Sequence, residues 1–87
     1  MTHESLLKFP CNFPIKVFSQ TSDDTLDKIL VLFQHHFPKL QKEDFIVRHS
    51  KDKKYLALTV TVHAESKEQL DALYMELNAS EQVIMTL

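Results

Sequence analysis

The 87-residue chain has the length and composition of one small domain. Its 10 basic and 12 acidic residues give a net charge of −2, and 44% of its residues are hydrophobic. A chain of this size buries only about 60% of the surface that it exposes when unfolded, so a second domain is not expected. Because charges of both signs are interspersed, no global field would draw the chain to nucleic acid or to a membrane, and we expect neither as a partner.

Hydropathy and cysteine content indicate a cytoplasmic protein. The longest wholly apolar run, residues 29–33, is far shorter than the roughly 18 residues of a membrane-spanning helix. Residues 1–8 lack the basic start and apolar stretch of a signal peptide. Cys11 is the single cysteine, so we expect neither an internal disulfide nor a multi-thiolate zinc site.

The chain is predicted to begin with an arm and a strand. Residues 1–12, with Pro10 near their end, are expected to form an irregular N-terminal arm laid over a single domain that spans residues 13–87. From residue 13 to residue 20 apolar side chains alternate with others, which is the period of a strand with one buried face. This segment is therefore the first predicted strand.

A helix is predicted to follow the first strand. Thr21 and Ser22 supply hydroxyls of the kind that cap a helix N-terminus, and the aspartates after them suit the positive end of the helix dipole. Pro38 disfavours helical geometry in the residue before it, so the helix should end near His36. Its apolar stripe consists of Leu26, Ile29, Leu30, Phe33 and Phe37.

Two further strands are predicted to form a hairpin. Residues 45–49 and 55–64 have strand character, and the polar residues 50–54 join them. The second of these strands alternates strictly, and its two faces consist of Leu56, Leu58, Val60 and Val62 on one side and Ala57, Thr59, Thr61 and His63 on the other.

The last predicted elements are a helix and a short strand. Ser66 with Gln69 three residues later is the pattern of a capping box, and Asn78 is a plausible left-handed residue at the helix end. Residues 82–87 then form a strand by their alternation. Its predicted faces consist of Val83, Met85 and Leu87 on one side and Ile84 and Thr86 on the other.

The order of these elements predicts the fold class. Strand, helix, strand, strand, helix, strand is typical of an α+β, ferredoxin-like βαββαβ sandwich, with a four-stranded antiparallel sheet of order 4-1-3-2. Right-handed crossovers place both helices on one face of such a sheet. We therefore expect the other face to be open.

Five segments of the chain carry a family resemblance: LLKFPCNFPIKVFSQ, LDKILVLFQHHFP, TVTVHA, EQLDALYMEL and VIMTL. Together they resemble the YbeD-like family of small bacterial proteins of unknown function, over residues 6–87. The resemblance implies a ferredoxin-like fold similar to that of ACT regulatory domains, which pair through their sheets and helices and sense small molecules such as amino acids. It implies no nucleophile and no metal ligand.

The chain departs from the resembled family because it contains no glycine. Ser19, Lys53 and Asn78 stand where the family is expected to have glycine. A lysine tolerates left-handed backbone poorly, so we predict either that Asp52 or Lys53 carries strain or that the turn has a different type. A left-handed residue among residues 50–54 would support this prediction.

ACT domains commonly bind their effector beside the glycine that follows the first strand. The resemblance therefore implies a candidate loop for a small-molecule effector, which would consist of Ser19, Gln20, Thr21 and Ser22.

Two adjacent histidines, His35 and His36, lie near the predicted end of the first helix. Neighbouring helical positions point about 100° apart, so both imidazoles cannot ligate one metal ion from a regular helix. Imidazoles in the last turn suit the unpaired carbonyls and the negative dipole end found there. We expect a structural role for this pair, no metal site, no cofactor and no catalytic group, and we do not expect an enzyme.

The open sheet face is the predicted interaction surface. Strand alternation places large apolar groups where the helices cannot cover them, and an exposed apolar patch of a few hundred Å² usually marks a contact surface. Apolar residues of the arm, Leu6, Leu7 and Phe9, are the alternative cover for this face. The predicted face residues are Lys16, Phe18, Tyr55, Thr59, Thr61 and Ile84.

From this face we expect a regulatory or adaptor module that binds a protein partner or a second copy of itself. The alternative is an ACT-like sensor of a small, amino-acid-type molecule, with its ligand at a subunit interface near the loop of residues 19–22.

Overall fold

The computed structural model describes residues 8–87, and its elements follow the predicted order. Residues 1–7 lie outside the described residues, and with them Leu6 and Leu7 of the predicted arm. The elements are β1 (Cys11–Gln20), α1 (Thr25–Gln34), β2 (Ile46–His49), β3 (Tyr55–Ala64), α2 (Lys67–Ala79) and β4 (Val83–Thr86), with a 3₁₀ turn at Lys42–Asp44 before β2.

The first strand begins earlier than its pattern predicted. Cys11 and Asn12, assigned to the arm from sequence, belong to β1 and pair with Ala64 and His63 of β3. Phe9 is partly buried and packs against the hydrophobic core.

The four strands form one sheet of order β2-β3-β1-β4, which is the predicted 4-1-3-2 arrangement. All pairings are antiparallel. The α+β, ferredoxin-like fold is therefore confirmed.

One hydrophobic core joins both helices to a single face of the sheet. From the sheet it takes the alternate residues of β1 and β3 that the pattern assigned to the buried side, among them Val17 and Leu58, both fully buried. From the helices it takes Ile29, Phe33, Leu70, Leu73 and Leu77. Because both helices use this face, the opposite face of the sheet has no layer above it among the described elements.

The sequence signals predicted for the two ends of α2 have different outcomes in the structure. The Ser66 hydroxyl accepts a hydrogen bond from the Gln69 N–H at 3.2 Å, which is one half of the predicted capping box. The other half is not formed, because Gln69 Oε1 accepts from Glu65 N–H at 2.8 Å instead of from Ser66 N–H. The predicted left-handed end at Asn78 is wrong. The helix continues through Ala79, and Ser80 ends it in an extended conformation with φ −81°.

The hairpin tip contains the left-handed residue that the missing glycine predicted. Lys53 has φ 61°, and no other described residue has positive φ. The turn is held by a hydrogen bond from Lys53 N–H to Ser50 O at 3.0 Å. Asp52 accepts from the Ser50 hydroxyl and from Lys54 N–H, and these two bonds lower the pKa of the Asp52 carboxyl.

The predicted alternation of the last strand is wrong because the β1–β4 pairing contains a bulge. Val83 pairs with Ser19, but Met85 pairs with Phe18, so one extra β4 residue, Ile84, is inserted at this step. A bulge of this kind shifts the face to which the following residues point. Val83 packs against the core, whereas Met85 lies beside Phe18 on the open face.

Candidate functional site

The register of the sheet brings side chains from all four strands into two rows on the open face. Residues paired directly across an antiparallel sheet point to the same side. Lys16 exchanges backbone hydrogen bonds with Leu87 at 3.1 and 2.8 Å, which places Leu87 opposite Lys16. From β2 towards β4, the first row is Ile46, Thr59, Lys16 and Leu87, and the second is Arg48, Ala57, Phe18 and Met85.

Large apolar side chains on or beside these rows are exposed. Ile46 is 61% exposed, Leu87 64% and Met85 48%. Tyr55, beside the second row, is 48% exposed, and Ile84 at the bulge is 49% exposed. They form a broken apolar border around the face.

A shallow basic notch lies in the middle of the face. Ala57 and Thr59 are small, and they leave a depression of about 300 Å³ between the longer side chains of Lys16, Arg48 and Ile46. Lys16 and Arg48 are the charged side chains that β1 to β4 direct to this face, and both are basic. We call this depression the basic notch.

The structure brings most of the predicted face residues together. Lys16, Phe18 and Thr59 lie in the two rows, and Tyr55 pairs with Gln20 next to them. Phe18 is only partly exposed because Ala57 and Met85 flank it. Thr61 is exposed but lies at the other end of β3, opposite Pro14. Ile84 lies at the bulge instead of in a row.

Sequence reasoning missed three residues of this face: Arg48, Met85 and Leu87. The alternation of β2 around Ile46 was the signal that would have found Arg48. Met85 and Leu87 had no such local signal, because their face depends on the bulge.

The candidate effector loop uses its hydroxyls within the chain. Ser22 Oγ bonds to the side chains of Asp24 and Thr25, and Thr25 Oγ1 donates to Gln20 O at 3.0 Å. Thr21 N–H donates to Lys54 O at 2.9 Å. The predicted capping of α1 by Thr21 and Ser22 is wrong, because the helix begins at Thr25, with Asp24 as its N-cap residue.

Ser19 of the same loop is fully buried on the helix side of the sheet. Its Oγ has no hydrogen-bond partner among the described residues. Ser19 and Gln20 belong to the end of β1, and the binding of a small molecule by residues 19–22 stays a prediction.

The histidine pair contacts a carboxylate of α2 that no local sequence pattern predicted. His35 Nδ1 lies 3.1 Å from one oxygen of Glu76 in α2, and His36 Nε2 lies 3.0 Å from the other. Hydrogen bonds from His35 and then His36 lower the pKa of Glu76, against the opposing effect of desolvation. Gln69 Nε2 adds a hydrogen bond to His36 O at 2.8 Å. This cluster joins the end of α1 to α2.

A second cleft, of about 420 Å³, lies beside the last residues of β3. One wall is formed by the segment after α1, including Phe37, Pro38 and Leu40, and the other by Thr61 and His63. His63 Nδ1 lies 3.1 Å from Asn12 Oδ1 on the neighbouring strand. We call this the edge cleft.

Two other structural features are absent from residues 8–87. Within that range, no group of three or more His, Cys, Asp or Glu residues is arranged to hold a metal ion. No helix of the same range has the length and hydropathy to span a membrane.

Comparison with known proteins identifies the family. The profile described as "protein of unknown function (DUF493)" matches residues 4–87. A UPF0250 protein of Nitrosomonas europaea is 37% identical over 87 residues, covering 100% of both chains. A UPF0250 protein of Ralstonia nicotianae is 43% identical over 84 residues, covering 97% of this chain and 87% of the relative.

A solved structure supports the fold. The solution structure of protein HP0495 from H. pylori matches with a TM-score of 0.64 at 21% identity, covering 93% of this chain and 85% of that one. At this level of identity the match concerns the fold alone. The resemblance to YbeD-like proteins is thus confirmed, and the chain belongs to the UPF0250 (DUF493) family of small bacterial proteins.

Proposed function

We propose that this protein is a non-enzymatic adaptor or regulatory module that binds an acidic protein surface through the open face of its sheet. The basic notch between Lys16 and Arg48 is the observation that carries this proposal. A carboxylate of the partner would lie between the two basic side chains, and the exposed apolar groups around them would contact apolar residues of the partner.

The chemistry of the face favours an acidic partner over a second copy of the chain. In a symmetric dimer formed through this face, the same patch contacts itself. Lys16 and Arg48 of the two copies would then lie close together, and like charges at an interface disfavour association. An acidic partner turns the same two charges into attractive contacts.

The apolar border supplies the other half of the interaction. A few large, well-packed side chains contribute most of the affinity of an interface, while charges contribute mainly specificity and association rate. Ile46 of β2, in the first row, and Met85 of β4, in the second row, lie at opposite sides of the face. A partner in contact with both would cover the basic notch.

A matched pair of variants tests the proposal. Ile46 is 61% exposed on the open face, and Met75 is 73% exposed on α2. Ile46→Glu and Met75→Glu introduce the same charge in place of an exposed apolar side chain, so only their location differs. Tagged chains of both kinds, and of Lys16→Glu, are used to co-purify partners from the native host.

A specific partner should be retained by Met75→Glu and lost by Ile46→Glu and Lys16→Glu. Its measured affinity for the purified chain should fall as salt concentration rises, since ionic strength screens exposed charge pairs. Equal capture by all three variants would reject the open face as the binding surface. Light scattering of the wild-type chain checks self-association, and a dimer broken by Ile46→Glu would replace the acidic partner with a second copy.

A further inference from the structure

The outer edge of β3 is only partly paired. β3 spans Tyr55–Ala64, but β2 covers just four of its residues, from Leu56 to Thr59. The chain before β2 turns away into the 3₁₀ turn at Lys42–Asp44. Residues 60–64 therefore have β1 on one side and no strand on the other within the described chain.

The hydrogen-bond pattern identifies which backbone groups face this outer edge. In an antiparallel ladder, successive residues direct their N–H and C=O groups to opposite sides. Tyr55 O accepts from Ser50 N–H at 3.0 Å, so Tyr55 directs its groups to the β2 side. Thr61 and His63 lie an even number of positions after Tyr55 along β3, so they direct their N–H and C=O groups to the β2 side as well.

The pairing of Pro14 agrees with this assignment. Pro14 lies opposite Thr61 in β1, and it has no N–H to donate. A proline fits between two paired strands where it and the residue opposite exchange no hydrogen bonds. At such a pair, the backbone N–H and C=O of the opposite residue point away from the proline's strand. No backbone hydrogen bond among residues 8–87 reaches the outward groups of Thr61 or His63.

The edge cleft lies where these groups point. Thr61 and His63 line it on one side, and Phe37, Pro38 and Leu40 line it on the other. Its volume of about 420 Å³ falls within the range of roughly 300–1,000 Å³ that is typical of ligand pockets. It is thus an apolar-walled cleft, and on its opposite side lies a row of backbone donors and acceptors that have no backbone partner within residues 8–87.

We propose that the edge cleft binds an extended peptide segment of a partner protein, which adds to β3 in line with β2. Main-chain hydrogen bonds to Thr61 and His63 would hold about three peptide residues, since alternate strand residues are spaced by roughly 6.6 Å. The wall formed by Pro38 and Leu40 selects a peptide with an apolar side chain at the central position. Lys39, Asp44 and Glu65 also line the cleft and would contact charged groups of the peptide.

This site does not depend on the proposed role of the open face. The open face would bind through side chains in its two rows, whereas the edge cleft would bind through the backbone of β3. The variants that test one site leave the residues of the other unchanged, so each proposal can be rejected while the other stands.

Hydrogen exchange of the wild-type chain is the first test. Thr61 and His63 amides should exchange at least about 100-fold faster than those of Val60 and Val62, which face β1. Equal protection of all four amides would show that the edge is covered within the chain, and the proposal would be rejected.

The second test uses a phage-displayed library of random heptapeptides and the purified chain. Selected peptides should perturb the amide signals of Thr61 and His63 and protect both from exchange. Thr61→Pro removes an outward N–H without removing a hydrogen bond to β1. It should lower the affinity of the chain for these peptides roughly fivefold to tenfold. Thr61→Val keeps the N–H and is the matched control.

Failure to select any peptide, or selection of peptides that bind Thr61→Pro and Thr61→Val equally well, would overturn the proposal. Peptides that perturb Lys16 and Ile46 in place of Thr61 and His63 would also overturn it, because they would bind at the open face. The exchange measurement needs no variant, so the proposal remains testable even if Thr61→Pro fails to fold.

Discussion

Replacing Lys53 with glycine should stabilise the protein. Lys53 has φ 61° at the tip of the β2–β3 hairpin. A residue with a Cβ in this left-handed region carries a penalty of about 1–2 kcal/mol, which glycine does not have. Glycine in turn loses about 0.5–1 kcal/mol more conformational entropy on folding. Subtracting the lower end of one range from the lower end of the other, and likewise the upper ends, predicts a gain of about 0.5–1 kcal/mol in the free energy of unfolding for Lys53→Gly.

Urea denaturation of the purified chain measures this gain directly, and it should correspond to a rise in Tm of about 2–8 °C for a domain of this size. Lys54→Gly is the matched control. It removes the same charge one residue later, at a position whose φ is negative. Without a left-handed penalty to relieve, this control should lose about 0.5–1 kcal/mol.

Lys53→Gly and Lys54→Gly should therefore shift stability in opposite directions. If both variants lose stability by similar amounts, the tip carries no backbone strain, and the reasoning from the missing glycine is wrong. If both gain stability, the effect comes from removing a basic charge near Lys51, and the backbone conformation is not its cause.

The remaining predictions concern the histidine cluster and a buried hydroxyl. Glu76→Gln should lower the free energy of unfolding near neutral pH, because the bonds to His35 and His36 lower the pKa of the Glu76 carboxyl. When folding lowers the pKa of a carboxyl group, the folded protein gains stability at pH values above the ordinary pKa of 4.5. This stability is lost as the pH falls through the lower pKa that the group has in the folded protein. The deficit of the variant in urea denaturation should therefore close in acid, and a deficit independent of pH would contradict the assignment. Ser19→Ala should raise the free energy of unfolding by about 1 kcal/mol, because the buried Ser19 Oγ has no partner among the described residues. A loss of stability in the same urea experiment would mean that this hydroxyl is satisfied in the folded protein.

The two proposed sites use different properties of one sheet. An open face is left when two helices pack on the same side, and its side chains then decide what binds. An edge with no neighbouring strand in the described chain is left when one hairpin strand is much shorter than its partner, as with β2 and β3. Both features follow from the fold, yet they offer different groups, side chains in one case and main-chain amides in the other.

The amino-acid sequence by itself determined the order of the elements and hence the fold. Strand alternation, the Ser66 cap and the proline after α1 act within a few residues, so each can be recognised without knowing what lies across the sheet. The left-handed residue at the hairpin tip belongs to this group as well, because a turn of a type that needs positive φ must, without glycine, place another residue there.

Only the tertiary structure decided which side chains meet. Glu76 reaches the two histidines across the packing of α1 and α2, and no local pattern encodes that contact. Met85 and Leu87 lie on the open face because a bulge shifts β4 against β1. The partly paired edge of β3 depends on where β2 begins to pair. In each case the cause is a contact between segments distant in the chain, whose register is set by the packing of the whole core.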